Sequence, residues 1–584
     1  MSGLGTSFGF GAASNHPRDL ANSDCILIMG SNMAESHPVG FHWPVQAQQR
    51  GAVLIHVDPR YTRTSAVADV FVKIRAGTDI AFLGGIIHYI LAHERYFKEY
   101  VVPYTNAATL IADEYRHKDD DGLFAGFNPM TGSYDLIPGA WEYACEPRPD
   151  GARGLPHTDP TLRNPACVLQ ILKRHYARYT PQAVSRVCGC RPEDVIKVAE
   201  LLCRNSGRER TSAIAYALGW TQHSRGSQMI RVAAIIQLLL GNVGRPGGGV
   251  LALRGHACIQ GATDIPVLFD MLPGYLPQPR AVPGHATLAQ YLAKGKSYLA
   301  RRGDVPNGLW QEDVVRGAWS DMPKFAISLL KAWYGEAATR ENDYRYTWVP
   351  KIDEDLSEMS YFVKMHQGHI RGTFLMGQNP AAGGPNARLH RDGLRRLDWL
   401  VVRDFFETES ASFWYADPEV TDPKAIPTEV FLLPAASVVE KDGSFTNTER
   451  MIQWHDRAVL PPGDCRSDAW FAYDLGKRLK ALYNDLPLER DAPLRHLTWD
   501  YDGGNWGYAG ETVGAIVNDL SPLSLDPNAD IHSAKSFVCQ LRPGRLQHLS
   551  PPTPLPIAPI PTTEAPIPDT PAAAQPAGRF RHGQ

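Results

Sequence analysis

Two stretches of this sequence carry the same residue types at the same spacing. Ile26-Leu27-Ile28-Met29-Gly30-Ser31-Asn32 and Thr373-Phe374-Leu375-Met376-Gly377-Gln378-Asn379 each run from an apolar segment into Met-Gly-x-Asn. Each is followed by a helix-length gap and a second apolar segment ending in aspartate, Asp58 in one copy and Asp404 in the other. Glycine to aspartate spans 28 positions in the first copy and 27 in the second. Glycine at a strand's end lets a ligand approach the backbone closely. The helix that follows offers N–H groups to phosphate. An acidic residue on the next strand accepts hydrogen bonds from ribose hydroxyls or a purine edge. Neither copy completes G-x-G-x-x-G, which disfavours a nicotinamide dinucleotide site. The pair predicts a chain that holds two nucleotide-like groups, or one ligand carrying two.

The elements that would position these residues are legible. Cys25–Met29 and Ala52–Val57 read as buried strands, with a helix between Val39 and Arg50, which makes a βαβ unit. Thr78-Asp79 opens a helix whose apolar stripe is Ile80, Leu83, Ile87 and Leu91, with Thr78 as the expected cap. Residues 114–165 read as a polar surface insertion. Helices are expected over 166–177 and 191–204, a strand over Ser212–Ala217, and a long helix over 228–240. The run Asn242–Gly249, with four glycines and a proline, reads as a hard break. Segment 271–357 reads as a long connection with short helices. Strands return at Gly372–Met376 and Trp399–Val402. The expected fold is α/β: two dinucleotide-binding-like domains, residues 1–255 and 256–485, with parallel sheets around a shared cofactor crevice. Residues 486–548 read as a poorly defined remnant. Ten of the last 34 residues are proline, so 549–584 is expected to be a disordered Pro-rich tail.

Composition narrows the function classes. The 584 residues are 43% hydrophobic and 21% charged, an ordinary globular balance too long for one core. A net charge of −3 argues against binding nucleic acid through bulk positive charge. No apolar run is long enough for a membrane span. The nine cysteines are scattered and form no C-x-x-C pair; Cys188-Gly189-Cys190 is the nearest approach. They read as buried thiols, with no metal-ligand set and no iron–sulfur cluster in this chain.

Further stretches carry a resemblance. Gly30–Pro38, Asp58–Thr64 and Arg75–Asp79 resemble the molybdopterin oxidoreductase family, which holds two molybdopterin guanine dinucleotides around one molybdenum or tungsten. Tyr216–His223, Leu238–Asn242 and Arg254–Gly261 make the chain similar to the selenocysteine-type respiratory formate dehydrogenase α subunits within it. The likeness covers about residues 3–541. It implies that Gly30, Asn32, Glu35, Asp58, Arg60, Gly77 and Asp79 surround one guanine dinucleotide. It implies that Gly377, Asn379, Asp404 and Thr408 surround the other, with Gln222 and His223 facing the pterin. It makes Arg254 the cation beside the metal that holds formate, a role suited to a planar, always-charged guanidinium, and it places His256 beside that centre.

The resemblance also implies formate oxidation to CO2, an iron–sulfur β subunit and a membrane cytochrome γ subunit as partners, and a periplasmic, membrane-associated enzyme reached by a twin-arginine signal. This sequence departs from that pattern. The family's cysteine-rich segment for a 4Fe–4S cluster has no counterpart here. Its selenocysteine or cysteine metal ligand would lie just upstream of Met1, as if an in-frame stop codon had been read literally. The first residues do not read as a signal, so the chain as encoded is expected in the cytoplasm and inactive alone. The alternatives are another molybdopterin oxidoreductase, of nitrate or sulfoxide reductase type, and a non-catalytic cofactor-binding fragment.

Overall fold

Cys25–Met29 is buried along its whole length and forms the central strand β1 of a five-stranded parallel sheet. Its partners are β2 (Val53–Asp58), β3 (Val70–Lys73), β4 (Ser212–Tyr216) and β5 (Gly249–Ala252), in the order β3-β2-β1-β4-β5. The computed structural model describes residues 2–8, 13–112, 127–128, 133–134, 143–147, 153–264, 268–273, 276–293, 322–449, 451–486 and 488–499. These all belong to one unit, Met1–Cys539. The expected Pro-rich tail and most of the expected remnant lie outside the described residues.

Strand periodicity divides the sheet's two faces. Cys25, Leu27 and Met29 join Ile55, Val57, Ile214 and Tyr216 in the larger core. The helices Asp79–Ala92 (α3) and Gly226–Leu239 (α4) close over that side. Ile26 and Ile28 face the other way with Leu54, Ala213 and Ala215, against Phe41 and Ala47 of the helix Pro38–Gln49 (α1). Burial on both faces explains why these strands are continuous apolar runs. The remaining helix needed below is α2 (Arg63–Val67), which follows β2.

The second copy forms its own parallel sheet: β6 (Gly372–Met376), β7 (Trp399–Asp404) and β8 (Glu429–Pro434), in that order. One face is packed, with Leu375, Leu400 and Val402 against Phe362, Met365 and Leu394. The other leaves Phe374, Met376, Trp399 and Phe431 exposed. Burial on both faces therefore holds for the first sheet and not for the second.

Within these two parallel sheets, three strands differ from the sequence-based expectation. β3 and β8 are additional. β5 begins at Gly249, inside the expected break, because a φ of +116° there turns the glycine run into the sheet. Thr78 precedes α3, but its hydroxyl donates back to the Arg75 carbonyl at 2.6 Å and makes no cap bond to the helix. The first dipeptide strand of the polar insertion, Phe127–Asn128, pairs with Ser133–Tyr134; much of the insertion lies outside the described residues. In the expected connection 271–357, Met322–Tyr334 is a full helix of 13 residues.

The two glycines at the strand ends share a left-handed backbone, with φ +69° at Gly30 and +67° at Gly377. Their surroundings differ. A Cβ on Gly30 would meet Trp220 Cδ1 at 2.6 Å, whereas one on Gly377 would meet nothing within 4 Å. Gly377→Ala is expected to cost about 1–2 kcal/mol of backbone strain. Gly30→Ala is expected to cost that plus about 1–3 kcal/mol for overpacking. Urea unfolding of the two variants checks the order; equal losses would remove the Trp220 contact from the account.

Candidate functional site

The strand order reverses between β1 and β4, and an open α/β sheet binds ligands outside the carboxyl ends of its strands at such a point. A cleft of about 270 Å³ opens there. Its lining comes from the end of β1 (Gly30, Ser31, Asn32), the end of β2 (Asp58, Pro59, Arg60, Thr62), the loop into α3 (Ala76, Gly77, Asp79) and the turn after β4 (Gly219, His223).

Close glycine packing sets these loops. The Gly30 carbonyl accepts from the Ala217 and Gly219 amides at 3.2 and 3.0 Å. A Cβ on Gly219 would strike Gly30 Cα at 2.8 Å. Gly77, at φ +81°, lies where a Cβ would meet the His223 ring at 3.2 Å. The turn after β4 therefore rests on the loops after β1 and β3.

Asn32 holds the first site together. Its Oδ1 accepts from the Thr64 hydroxyl at 3.0 Å and the Thr64 amide at 3.4 Å. Thr64 Oγ1 in turn accepts from the Ala34 amide at 3.0 Å. Asn32 Nδ2 donates to Glu35, which also accepts from Arg63 Nε at 3.2 Å. The second copy repeats the arrangement. Asn379 Oδ1 accepts from the Ser410 hydroxyl at 2.8 Å and the Ser410 amide at 3.1 Å. Ser410 Oγ accepts from the Ala381 amide at 3.1 Å, and Asn379 Nδ2 donates to Glu409 at 2.6 Å. Thr64 and Ser410 each stand six residues after their aspartate, Asp58 and Asp404. Thr62 and Thr408 each precede the short helix that carries the clamp partner. Sequence reasoning missed Thr62, Thr64 and Ser410, although extending the repeat past the aspartates finds all three.

Asp79 is buried and accepts from the Trp220 indole N–H at 3.0 Å. Burial pushes its carboxyl above the ordinary range, while the Trp220 bond pulls the other way. Asp58 accepts from the Arg60 amide at 2.8 Å, which shapes the turn. Several buried polar atoms at these sites have no protein partner: Ser31 Oγ and His223 Nδ1 in the first, Thr408 Oγ1 in the second. Such orphan atoms suit a polar ligand.

Of the residues expected at the first site, Gly30, Asn32, Asp58, Arg60, Gly77, Asp79 and His223 line the cleft. Glu35 stands behind Asn32 and is exposed. Gln222 is exposed and outside the lining. Arg254 is half-buried just beyond β5, and its carbonyl lies 3.1 Å from His37 Nε2. It neighbours Tyr216, whose hydroxyl burial pushes up to about 12 against the pull of that guanidinium. Neither Arg254 nor the exposed His256 lines the cleft, and neither does any residue of the second copy. Among the described residues no group of three or more His, Cys, Asp or Glu is placed to hold a metal ion.

The sequence matches the family described as "Molybdopterin oxidoreductase" over residues 3–478. It is 43% identical over 510 residues to "Formate dehydrogenase 2 subunit alpha (cytochrome c-553)" of Nitratidesulfovibrio vulgaris, covering 87% of this chain and 48% of that protein. It is 40% identical over 504 residues to "Formate dehydrogenase, nitrate-inducible, major subunit" of Escherichia coli, covering 86% and 48%. A third relative, "Formate dehydrogenase subunit alpha" of Megalodesulfovibrio gigas, is 41% identical over 503 residues, covering 86% and 47%. The chain spans about half the length of these curated relatives.

Asp79 allows a pH test. Its folded-state pKa is raised, so ionisation opposes folding: the cost is absent in acid and grows as pH climbs past the unfolded carboxyl's range. Asp79→Asn keeps an acceptor for Trp220. The variant is expected to match the wild type below about pH 4 and to be the more stable protein at about pH 7. Urea titrations at both pH values decide; a variant less stable at neutral pH would mean the carboxylate is needed as an anion for folding.

Proposed function

The chain belongs to the molybdopterin oxidoreductase family, and on that premise we propose that it is the cofactor-binding part of a formate dehydrogenase α subunit. It would hold two molybdopterin guanine dinucleotides, one at each Asn-clamped strand end. The observation that carries this reading is the duplicated clamp: two glycine–asparagine loops, each tied the same way to the segment six residues after an aspartate.

The residues present fit the organic part of such a cofactor. In the first cleft Asp58 and Asp79 offer acceptors for guanine N–H groups or ribose hydroxyls, and Ser31 and His223 bring polar atoms that no protein group satisfies. In the second, Gly377 leaves open space where a side chain would intrude, Asp404 ends β7, and Thr408 brings an unsatisfied hydroxyl. The described thiols do not fit a metal ligand as well. Cys25 is sealed in β1, where burial pushes its thiol far up. Cys258 is engaged with the Ser444 carbonyl and the Thr446 amide.

When bound, the cofactor would supply a metal that takes two electrons from formate. The protein's part is to hold the nucleotides, exclude water and fix the carboxylate. Arg254 suits the last task because a guanidinium binds a carboxylate through two parallel bonds. The molybdenum or tungsten, the 4Fe–4S relay, the iron–sulfur β subunit, the membrane cytochrome γ subunit and a periplasmic site all belong to this proposal. No described helix is long and apolar enough to cross a membrane.

The test is cofactor content. Protein purified from a host that makes the pterin guanine dinucleotide is expected to release GMP on acid hydrolysis. Asn32→Ala and Asn379→Ala should each lower that yield, since each loses a clamp whose buried partners cost about 1–3 kcal/mol when left unsatisfied. Protein that carries no pterin or guanine nucleotide from such a host would contradict the reading.

A further inference from the structure

The two copies match at the glycine, the asparagine, the aspartate, both threonines before the clamp and the clamp hydroxyl itself. They differ underneath. His56, two residues before Asp58, is fully buried in β2; its counterpart before Asp404 is Val402. Ser65, just after the clamp residue Thr64, has Ala411 as its counterpart. The two differences form one contact. His56 Nδ1 lies 2.8 Å from Ser65 Oγ, and His56 Nε2 lies 3.1 Å from the Ser31 carbonyl.

The tautomer follows from the partners. A carbonyl can only accept, so Nε2 carries the hydrogen and donates to Ser31. In the neutral ring Nδ1 is then an acceptor, and the Ser65 hydroxyl donates to it. Ser65 Oγ in turn accepts from the Thr62 amide at 2.8 Å. Each of these donors has an acceptor, and the relay joins the loop after β1 to the segment after β2. Ser31 and Thr62 both line the first cleft.

We propose that His56 is a positioning residue for the first cleft: its neutral imidazole fixes the Ser31 loop against the Thr62–Ser65 segment, and acid disrupts that tie in the first site alone. Protonation makes Nδ1 a donor. The Thr62 amide and Nδ1 then both point at Ser65 Oγ, whose hydrogen must turn away. Apart from Asp58 and the Ser31 carbonyl, the groups around the ring do little to stabilise the charge. β1 and β3 present Ile28 and Phe71 beside it, α2 presents Ser65, and the charged neighbour is Asp58, 3.9 Å away and itself at the cleft. Burial holds the imidazole below its ordinary pKa, with Asp58 and the Ser31 carbonyl opposing. A lowered histidine contributes stability that is present above the unfolded pKa and is lost as pH falls toward the folded value. The second copy, with Val402 and Ala411, shows that a clamp of this kind forms without the relay.

The consequence for a ligand rests on the nucleotide reading above; the tie itself does not. The experiment is hydrogen–deuterium exchange of the full chain at about pH 7.5 and pH 5.5, corrected for intrinsic rates, with GDP binding measured alongside. In the wild type, segments 30–34 and 61–66 should exchange about ten-fold faster in acid, while 407–412 of the second clamp should not change; 377–381 does not serve as a control, because the buried His390 ring lies 3.1 Å from the Pro380 carbonyl. The His56→Val/Ser65→Ala double variant, which copies the second site, should exchange fast in the first two segments at both pH values. His56→Gln keeps a donor for the Ser31 carbonyl and should restore protection of segment 30–34 without the acid response. Equal exchange in the wild type and the double variant, or an acid response in the double variant, overturns the proposal. Absence of GDP binding by the wild type would count against the nucleotide reading and leave the exchange result to decide on His56.

Discussion

The asparagine carboxamide after the first strand of each copy is the constraint on which both sites depend. A loop leaving a parallel sheet has backbone groups that the ladder no longer satisfies. Asn32 and Asn379 solve this by reaching across to the segment beyond the next strand. There Oδ1 takes both the amide and the hydroxyl of one residue, Thr64 or Ser410. That hydroxyl then accepts from the amide two residues after the asparagine. The ring is closed, so the end of one strand and the end of the next move as one body. The glycine two residues earlier can take a left-handed turn because its neighbours are already fixed. Everything proposed to face a ligand, from Asp58 to Thr408, hangs from this arrangement.

The same device serves two different environments. In the first copy the clamp is overlaid by the turn after β4, and Gly30 packs against Trp220 and Gly219. A buried histidine relay stiffens it from below, and Asp79 closes one wall through the Trp220 indole. In the second copy Gly377 faces open space and the sheet keeps an exposed apolar face. On the proposal above, a common clamp with unlike surroundings would let one chain present two nucleotide sites that need not bind with equal strength. The contrast also separates what the clamp requires from what the first site adds. Val402 and Ala411 suffice where His56 and Ser65 stand in the other copy.

Much of this was legible in the sequence because the strands announce themselves. Cys25–Met29, Val53–Asp58, Gly372–Met376 and Trp399–Asp404 are apolar runs closed by glycine or aspartate, and each forms where its pattern places it. Six of the residues expected around the first nucleotide, and His223, expected to face the pterin, line one cleft. Other features had no such signal. The apolar runs of β3 (Val70–Val72) and β5 (Val250–Ala252) are only three residues long, and the second is hidden behind the glycines before it. Thr78 has the right residue type for a cap, but its hydroxyl found the Arg75 carbonyl first. His56 sits among Ile55 and Val57 and reads as part of a strand; only its three-dimensional neighbours give it a role. Arg254 and His256 were placed by resemblance, and the described cleft does not include them.

The central claim is that one clamped unit occurs twice and that each occurrence holds a nucleotide. The most direct measurement is a crystal structure of the protein isolated from a host that makes the pterin guanine dinucleotide. The account predicts two nucleotides. One should lie against Gly30, Asn32, Asp58 and Asp79, and the other against Gly377, Asn379 and Asp404, with both carboxamides still bound to Thr64 and Ser410. A nucleotide in the first cleft with none at Gly377, or clamps that open to bind the ligand themselves, would contradict it.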